Sequence, residues 1–544
     1  MMKKIASLVF CVIFSITSQY GQERPVQRDT TAMPRLEIPE ITIVGKKAIT
    51  LPFARKGEVY ETGLYEASPP DTSLLEPRIA MSLPLGPLPR YEEPLIPWHF
   101  SAEGSIGSYS TGDLRIFGDY KGRRWGIYGN ASLGTTGGHT DRAEGSSFDA
   151  SITAHSLVKT DNSILKSFRV LGGIAMMFDK YGMFGLKDIS VDRSRNNFAL
   201  HAGLSSLERE KSAYDISISA DIWSILDRRT PADSSVTVMS PELKADYSVA
   251  ISKFRFNAGL LYGGTSLNYD RTTESPSLLG LNAGIRWQAT KKWSVELGGQ
   301  LHDGSGSDGS GRTLLSPFAI ARFEIDKDRQ VSIWTKPGMR LHSYSAQSER
   351  NPYLIREIIL QPELVPLNIG GGFWFNGEVL SMEVNGEFSK ISDKTVTVAD
   401  SGYLRLTYVD AVQAAVNIHG TFTPVKYARL IFSGAIQPTY KEGQSVQLPM
   451  IPLIQGATRG EISLPMPITM WMSLEYWSKQ NINFNSTNDL ASRFLVGLGA
   501  STTIIPRTVL SAEVDNLLGD QYEWWSRYGA PGITFRLNAK VNFR

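Results

Sequence analysis

Residues 533–543, near the carboxyl terminus, read Ile-Thr-Phe-Arg-Leu-Asn-Ala-Lys-Val-Asn-Phe. Apolar side chains occupy every odd position of this segment, and polar or charged side chains occupy every even position. Because successive side chains of a β-strand point to opposite faces, the segment has one apolar face and one polar face. The pattern predicts a strand that separates an apolar environment from an aqueous one.

The same alternation recurs upstream, from Trp98 onward, for example in residues 214–222, 293–301 and 380–388. Turns rich in glycine, asparagine, aspartate and serine interrupt it. A soluble β-sandwich would also alternate, but its strands usually have five or six residues, whereas these segments approach ten and have aromatic residues near their ends. The pattern therefore predicts an all-β fold, a transmembrane antiparallel up-and-down β-barrel of about 22 strands in residues 98–544.

The composition agrees with a membrane barrel. The chain has 49 glycines, 21 tyrosines, 23 phenylalanines and 11 tryptophans, and its mean hydropathy of -0.16 is too polar for a bundle of membrane helices. A formal net charge of +2 gives no concentrated basic surface, so nucleic acid is not expected as a partner.

The amino terminus has the features of an export signal. Lys3 and Lys4 precede an apolar run at residues 5–16, which is too short to cross a bilayer as a helix. We predict a signal peptide at residues 1–21. Cys11, the only cysteine, lies inside this run, and a lipid anchor on it is the alternative to cleavage. A mature chain without cysteine has no disulfide, no thiolate nucleophile and no cysteine metal ligand.

Residues 22–97 differ from the rest of the chain because they contain twelve of its 28 prolines. Proline removes backbone donors and is excluded from helix interiors and central strands, so an extended segment is predicted. One short stretch within it is β-prone and is bounded by Pro39. It consists of Glu40, Ile41, Thr42, Ile43, Val44 and Gly45.

The closing motifs resemble those of TonB-dependent outer-membrane receptors. They comprise the turn Asn516-Leu517 within residues 514–522, residues 529–532 and the alternating last strand. Residues 351–354, followed by Pro362 and Glu363, look similar to the mid-barrel motif of that family. The resemblance implies a barrel-assembly signal at the carboxyl terminus. We assign this signal to Phe535, Val541 and Phe543, although Arg544 follows the terminal aromatic residue.

The stretch Glu40 to Gly45 resembles a TonB box, the short strand that a TonB C-terminal domain captures by β-addition. The family's folded plug has no counterpart of sufficient length between this stretch and the barrel. A barrel of this size normally has a filled lumen, so we predict that the proline-rich segment, or another chain, fills it.

No catalytic, cofactor or metal motif is evident in the sequence. The seven histidines are scattered singly, without the spacing of metal ligands. The leading prediction is a receptor-like barrel, not an enzyme, that transports or binds a substrate at the outer membrane of a Gram-negative-type bacterium. Its expected partners are outer-membrane lipid, the TonB C-terminal domain and the barrel-assembly machinery. The alternative is a passive pore or scaffold barrel without energy coupling, plugged by or partnering another envelope protein. No loop cluster selects a substrate.

Overall fold

The computed structural model describes residues 98–543 apart from 161–166, 187–189, 208–210, 230–233, 270–272, 356–357, 401, 485–488 and 504. The described residues form one closed barrel of 22 principal strands, each antiparallel to its neighbours. The first and last strands close the barrel, in a register that runs from Phe100 opposite Phe543 to Gly107 opposite Arg536. The predicted fold and strand number are confirmed.

The strands are numbered here in chain order. The first eleven are β1 Trp98–Gly107, β2 Thr111–Lys121, β3 Trp125–Thr136, β4 Gly145–Val158, β5 Phe168–Gly182, β6 Val191–Ser206, β7 Ser212–Arg229, β8 Ser234–Ile251, β9 Phe254–Gly264, β10 Ser277–Gln288 and β11 Trp293–Ser305. The remaining eleven are β12 Gly311–Asp326, β13 Arg329–Thr335, β14 Glu363–Asn376, β15 Leu380–Asp400, β16 Tyr403–Val425, β17 Ala428–Ile436, β18 Ile454–Ser463, β19 Ile468–Trp477, β20 Arg493–Thr502, β21 Thr508–Asp515 and β22 Thr534–Phe543.

Short strand segments extend or connect these strands. They are Ser266–Asn268, Thr273–Glu274, Gly338–Arg340, Thr439–Lys441, Gln480–Asn481, Asp489–Leu490, Glu523–Trp525 and Tyr528–Gly529. A single turn of 3-10 helix, Ser108–Ser110, joins β1 to β2, and the α-helix α1, Tyr344–Arg350, lies between β13 and β14.

The two ends of the barrel differ in the length of their connections. At one end tight turns such as 252–253, 327–328 and 426–427 join the strands, and this end also contains Trp98 and Phe543. The opposite end contains the longest connections, namely residues 336–362, 437–453, 478–492 and 516–533. Outer-membrane barrels have short periplasmic turns and long extracellular loops, so the long connections lie outside the cell.

The outward face of the barrel is apolar. Leu315 is 76% exposed and Leu297 is 59% exposed, and both lie on strands whose other face is polar. An aromatic girdle surrounds the periplasmic end, where the Trp98 and Tyr120 ring centroids lie 4.6 Å apart. Apolar surface of this extent is stable in lipid rather than in water. The chain is an outer-membrane protein. No helix among the described residues is long and apolar enough to cross a bilayer.

Candidate functional site

A folded cap covers part of the outer mouth of the barrel. We define the cap as residues 341–355 and 358–362, which include α1. On one side, the guanidinium of Arg193 on β6 donates hydrogen bonds to the carbonyls of Pro352 (3.0 Å) and Leu354 (2.6 Å). On the other side, Leu354 forms a parallel bridge with Leu404 on β16. Because β6 and β16 are ten strands apart in a barrel of 22, the cap connects nearly opposite walls.

A buried ion pair holds the arginine side of the cap. Arg193 donates from Nε to Oδ1 of Asp227 (2.7 Å) and from Nη2 to Oδ2 (2.8 Å). Arg193 is only 2% exposed, and Asp227 is 4% exposed. The guanidinium therefore uses one edge for the carboxylate and its remaining nitrogen for the two cap carbonyls. Such a bidentate, fully buried geometry fixes direction as well as distance. We call this group of contacts the clasp.

Apolar side chains beneath the cap replace the polar wall found deeper in the lumen. Trp223 and Ile225 on β7 are almost completely buried on the lumen side, between the cap and the wall. The cluster they join also contains Val236, Val238, Leu267, Tyr344, Leu354, Ile358, Leu360, Leu404 and Leu406. Burial of this apolar area stabilises the cap in its closed position.

Polar contacts hold both ends of α1, the helix of the cap. The hydroxyl of Ser343 accepts a hydrogen bond from the Ala346 amide (3.3 Å), which satisfies a backbone donor of the first turn. Near the end of the helix, the Ser348 carbonyl accepts a hydrogen bond from Arg195 on β6 (2.7 Å), and Arg195 also pairs with Asp179. Two neighbouring arginines of one strand therefore hold the cap.

Stacked aromatic rings connect the cap to two other outer loops. The rings of Tyr353 and Tyr528 lie 3.5 Å apart between centroids at an angle of 17°. The Tyr528 hydroxyl donates to the carbonyl of Gly402 (2.7 Å), at the tip of the β15–β16 hairpin. Phe184, from residues 183–190, packs edge-on against Tyr528 (5.0 Å). Burial raises the pKa of Tyr353 and Tyr528, so both phenols stay neutral at physiological pH.

A cavity of about 140 Å³ lies between the cap and the wall formed by β15 and β18–β20. Its lining is mixed. The polar and aromatic side chains are those of His342, Gln347, Arg350, Asn351, Glu363, Gln437, Gln455, Gln480, Trp477, Trp524, Trp525 and Arg493, and Val396, Pro449, Met450, Ile451 and Pro452 supply aliphatic surface. Concave sites with apolar and aromatic surfaces and a few convergent polar groups are typical of small-ligand sites. The cavity is therefore the candidate binding site.

Among the cations that line the cavity, Arg493 lies against two adjacent indole rings. Its guanidinium carbon lies 4.1 Å from the Trp477 ring centroid and 4.2 Å from that of Trp524. The Tyr522 ring centroid lies 5.4 Å away. Aromatic faces attract a cation but do not use its hydrogen-bond donors. The arrangement positions the guanidinium and leaves its donors for other partners.

The residues predicted as the assembly signal lie apart from this cavity. Phe535 and Phe543 are on the outward face of β22, 55% and 45% exposed, and Val541 is half-buried on the same face. Their role in assembly stays a prediction. The TonB-box-like stretch, residues 40–45, lies outside the described residues.

The residues of the mid-barrel resemblance, 351–354, belong to the cap. The backbone carbonyls of Pro352 and Leu354 accept the hydrogen bonds of the clasp. The sequence analysis also missed Arg493 as a site residue. A recognisable signal was the concentration of aromatic residues Tyr522, Trp524 and Trp525 in one outer loop.

Metal ligands are not gathered in the described part of the chain, because no group of three or more histidine, aspartate, glutamate or cysteine residues there could hold an ion. Among the described residues no separate plug domain is present; all belong to the barrel strands and their connections.

The sequence matches no protein-family profile and no curated protein. The fold is similar to the copper transporter OprC, with a TM-score of 0.63, 12% identity and 82% of each chain covered. It is also similar to the FrpB iron transporter from Neisseria meningitidis, with a TM-score of 0.66, 8% identity and 82% of each chain covered. For the ferric yersiniabactin uptake receptor FyuA from Yersinia pestis, the TM-score is 0.62 at 10% identity, with 83% of this chain and 81% of that chain covered.

The strand number, the apolar outer face and the covered mouth define a large outer-membrane barrel of the receptor type. At these identities the similarity concerns the fold. The chain has the barrel of TonB-dependent receptors, which confirms the resemblance drawn from the closing motifs around Asn516. The structurally similar proteins are transporters and receptors.

Proposed function

We propose that this protein is an outer-membrane receptor that binds a substrate in the cavity beneath its outer cap and takes it up with energy supplied through a TonB-type partner. The observation that carries the proposal is the cap itself. A passive pore needs an open path for its solutes, whereas here a segment held by a buried ion pair connects opposite walls of the mouth. The barrel fold, shared with transporters and uptake receptors, supports the same conclusion.

Energy coupling is assigned to the stretch Glu40 to Gly45. A strand captured by β-addition contributes backbone amide donors at alternate residues to the edge of the partner's sheet. Ile41 and Ile43 are two residues apart, so their amides point to the same side of such a strand. Proline has no amide donor, and substitution at both positions removes two hydrogen bonds from the interface.

The test is binding of the purified full chain to a TonB C-terminal domain by biolayer interferometry. We expect the double variant Ile41→Pro/Ile43→Pro to lose binding. A matched control is Ile79→Pro, which adds a proline to the same proline-rich segment outside the stretch and should bind as the unaltered chain does. Equal binding by the double variant and the control would contradict the assignment of the coupling strand.

A further inference from the structure

Arg493 has no ion-pair partner among the described residues, although the Glu475 carboxylate on the adjacent strand β19 contributes a favourable charge. The side chain is 7% exposed, and its one hydrogen bond to a described residue is the long contact from Nη1 to the Glu523 carbonyl (3.4 Å). Its Nε is buried and has no hydrogen-bond partner among the described residues. No carboxylate of those residues forms an ion pair with it. Burial of a charge without a partner is costly, so an anion is the expected complement.

Other buried arginines of the barrel do have carboxylate partners. Arg193 pairs with Asp227, and Arg286 pairs with Glu296 at 2.7 Å. Arg459 is the closest match, because it also lies over an indole, that of Trp471, at 4.7 Å. Arg459 nevertheless has the Glu461 carboxylate 2.8 Å from its Nε. The unpaired state of Arg493 is therefore a property of the cavity rather than of indole-stacked arginines in general.

Unpaired amides lie around the same cavity. Gln347 and Gln437 are each 5% exposed, and Gln455 is 9% exposed. Their side-chain amides make no hydrogen bond with the described residues, although each amide offers donors and an acceptor. Amides that line a cavity without protein partners match a ligand that has several hydroxyl groups, since a hydroxyl both donates and accepts.

We propose that the cavity binds a small hydroxylated carboxylate of the size of one acidic sugar, with its carboxylate on Arg493 and its hydroxyls on the glutamine amides. A carboxylate matches the fork of guanidinium donors and supplies the single negative charge that one unpaired arginine requires. The proposal rests on the proposed function for the role of the cavity, but the binding step itself needs no energy coupling.

The experiment titrates the purified full chain, folded in detergent micelles, with D-glucuronate, D-glucose and inorganic phosphate. Isothermal calorimetry measures affinity, and tryptophan fluorescence reports on Trp477 and Trp524 beside the guanidinium. We expect saturable binding of glucuronate, with glucose at least tenfold weaker because it lacks the carboxylate. Phosphate should also bind more weakly than glucuronate because it offers no hydroxylated body to the amides.

Substitutions test the guanidinium of Arg493 and the glutamine amides separately. Arg493→Gln should weaken glucuronate binding by roughly tenfold to a hundredfold, the loss typical of a charge-assisted hydrogen bond. Gln455→Leu should weaken glucuronate binding while leaving the weaker binding of phosphate unchanged. Arg459→Gln is the matched control, and its affinity for glucuronate should equal that of the unaltered chain. Heat-modified mobility on gels verifies that every variant is a folded barrel.

Three outcomes would overturn the proposal. They are equal affinity for glucose and glucuronate, preference for phosphate, and unchanged glucuronate binding by a folded Arg493→Gln variant. The result is independent of energy coupling. Binding of glucuronate by a protein that fails to bind a TonB C-terminal domain would reject the uptake function and retain the site.

Discussion

Release of the clasp should open the outer mouth. The substitution Arg193→Met keeps a long side chain but removes the ion pair with Asp227 and both hydrogen bonds to the cap carbonyls of Pro352 and Leu354. It leaves the Asp227 carboxylate 4% exposed and without its arginine. Removal of one partner of a buried ion pair typically costs about 3–5 kcal/mol.

The expected effect on the cap follows from that free energy. The ion pair joins two adjacent wall strands and does not need the cap, but the two hydrogen bonds to the cap carbonyls form only when the cap is closed, and only the closed cap keeps Asp227 buried without its arginine. Loss of Arg193 therefore raises the ratio of open to closed cap. At 1.4 kcal/mol per factor of ten, the ratio rises by about two to three and a half orders of magnitude. The apolar cluster around Trp223 still favours closure, so the variant should alternate between states rather than stay open.

Single-channel conductance in a planar bilayer measures this directly. The recordings use the chain without residues 22–97, so that the amino-terminal segment does not contribute, and compare it with the same chain with Arg193→Met. We expect a lower mean conductance in the parent, whose cap covers part of the mouth, and frequent transitions to a higher conductance in the variant. Arg286→Met is the matched control, because it breaks an equally short ion pair, with Glu296, on the lumen wall and away from the cap.

A second substitution tests the charge argument. Adding Asp227→Leu to Arg193→Met removes the buried carboxylate that has lost its arginine, so the open fraction should fall to a value between those of the parent and the single variant. Two results would refute the reasoning. One is a truncated parent that is already fully open, and the other is an Arg193→Met variant that conducts no more than the Arg286→Met control.

Two further predictions concern the hairpin tip and the last strand. Gly402 has a φ of 96°, and an added Cβ would lie 2.8 Å from the Gly185 carbonyl oxygen. Gly402→Ala should therefore speed amide hydrogen exchange in the cap. The control Gly443→Ala should not, because Gly443 has a φ of 75° but open space around it. Phe543→Ser should lower the yield of assembled barrel, measured on heat-modifiability gels. The control Phe388→Ser replaces a lipid-facing residue in the middle of the barrel and should lower the yield less. Equal yields of the two variants would contradict the assembly signal.

The barrel was predictable from sequence because its signal is local. Each strand must present an apolar side to lipid and a polar side to water, and this requirement imposes a period of two on every strand, as in residues 533–543. The tight periplasmic turns mark the strand ends, so the strand number follows from counting. No comparable local rule determines how a long outer loop folds, because such a loop contacts residues that are far from it in the sequence.

The cap illustrates that limit. Arg193 contacts Leu354 across 161 positions of sequence, and nothing in the local pattern relates the two. One signal was present but not used: Trp223 and Ile225 are apolar at lumen-facing positions where the alternation calls for polar residues. An apolar residue on the wet side of a barrel strand indicates that another part of the chain covers it.

The clasp and the cavity are placed so that a ligand can influence the cap. Gln347 and Asn351 line the cavity, and the carbonyl of the next residue, Pro352, accepts a hydrogen bond from Arg193. A ligand shifts a two-state equilibrium only if it binds one state more tightly. The closed cap supplies part of the cavity wall, so a bound hydroxylated carboxylate should favour closure. In the truncated Arg193→Met barrel, saturating glucuronate should therefore lower the open fraction. Adding Arg493→Gln should abolish that response, and a response that persists would show that the ligand acts elsewhere.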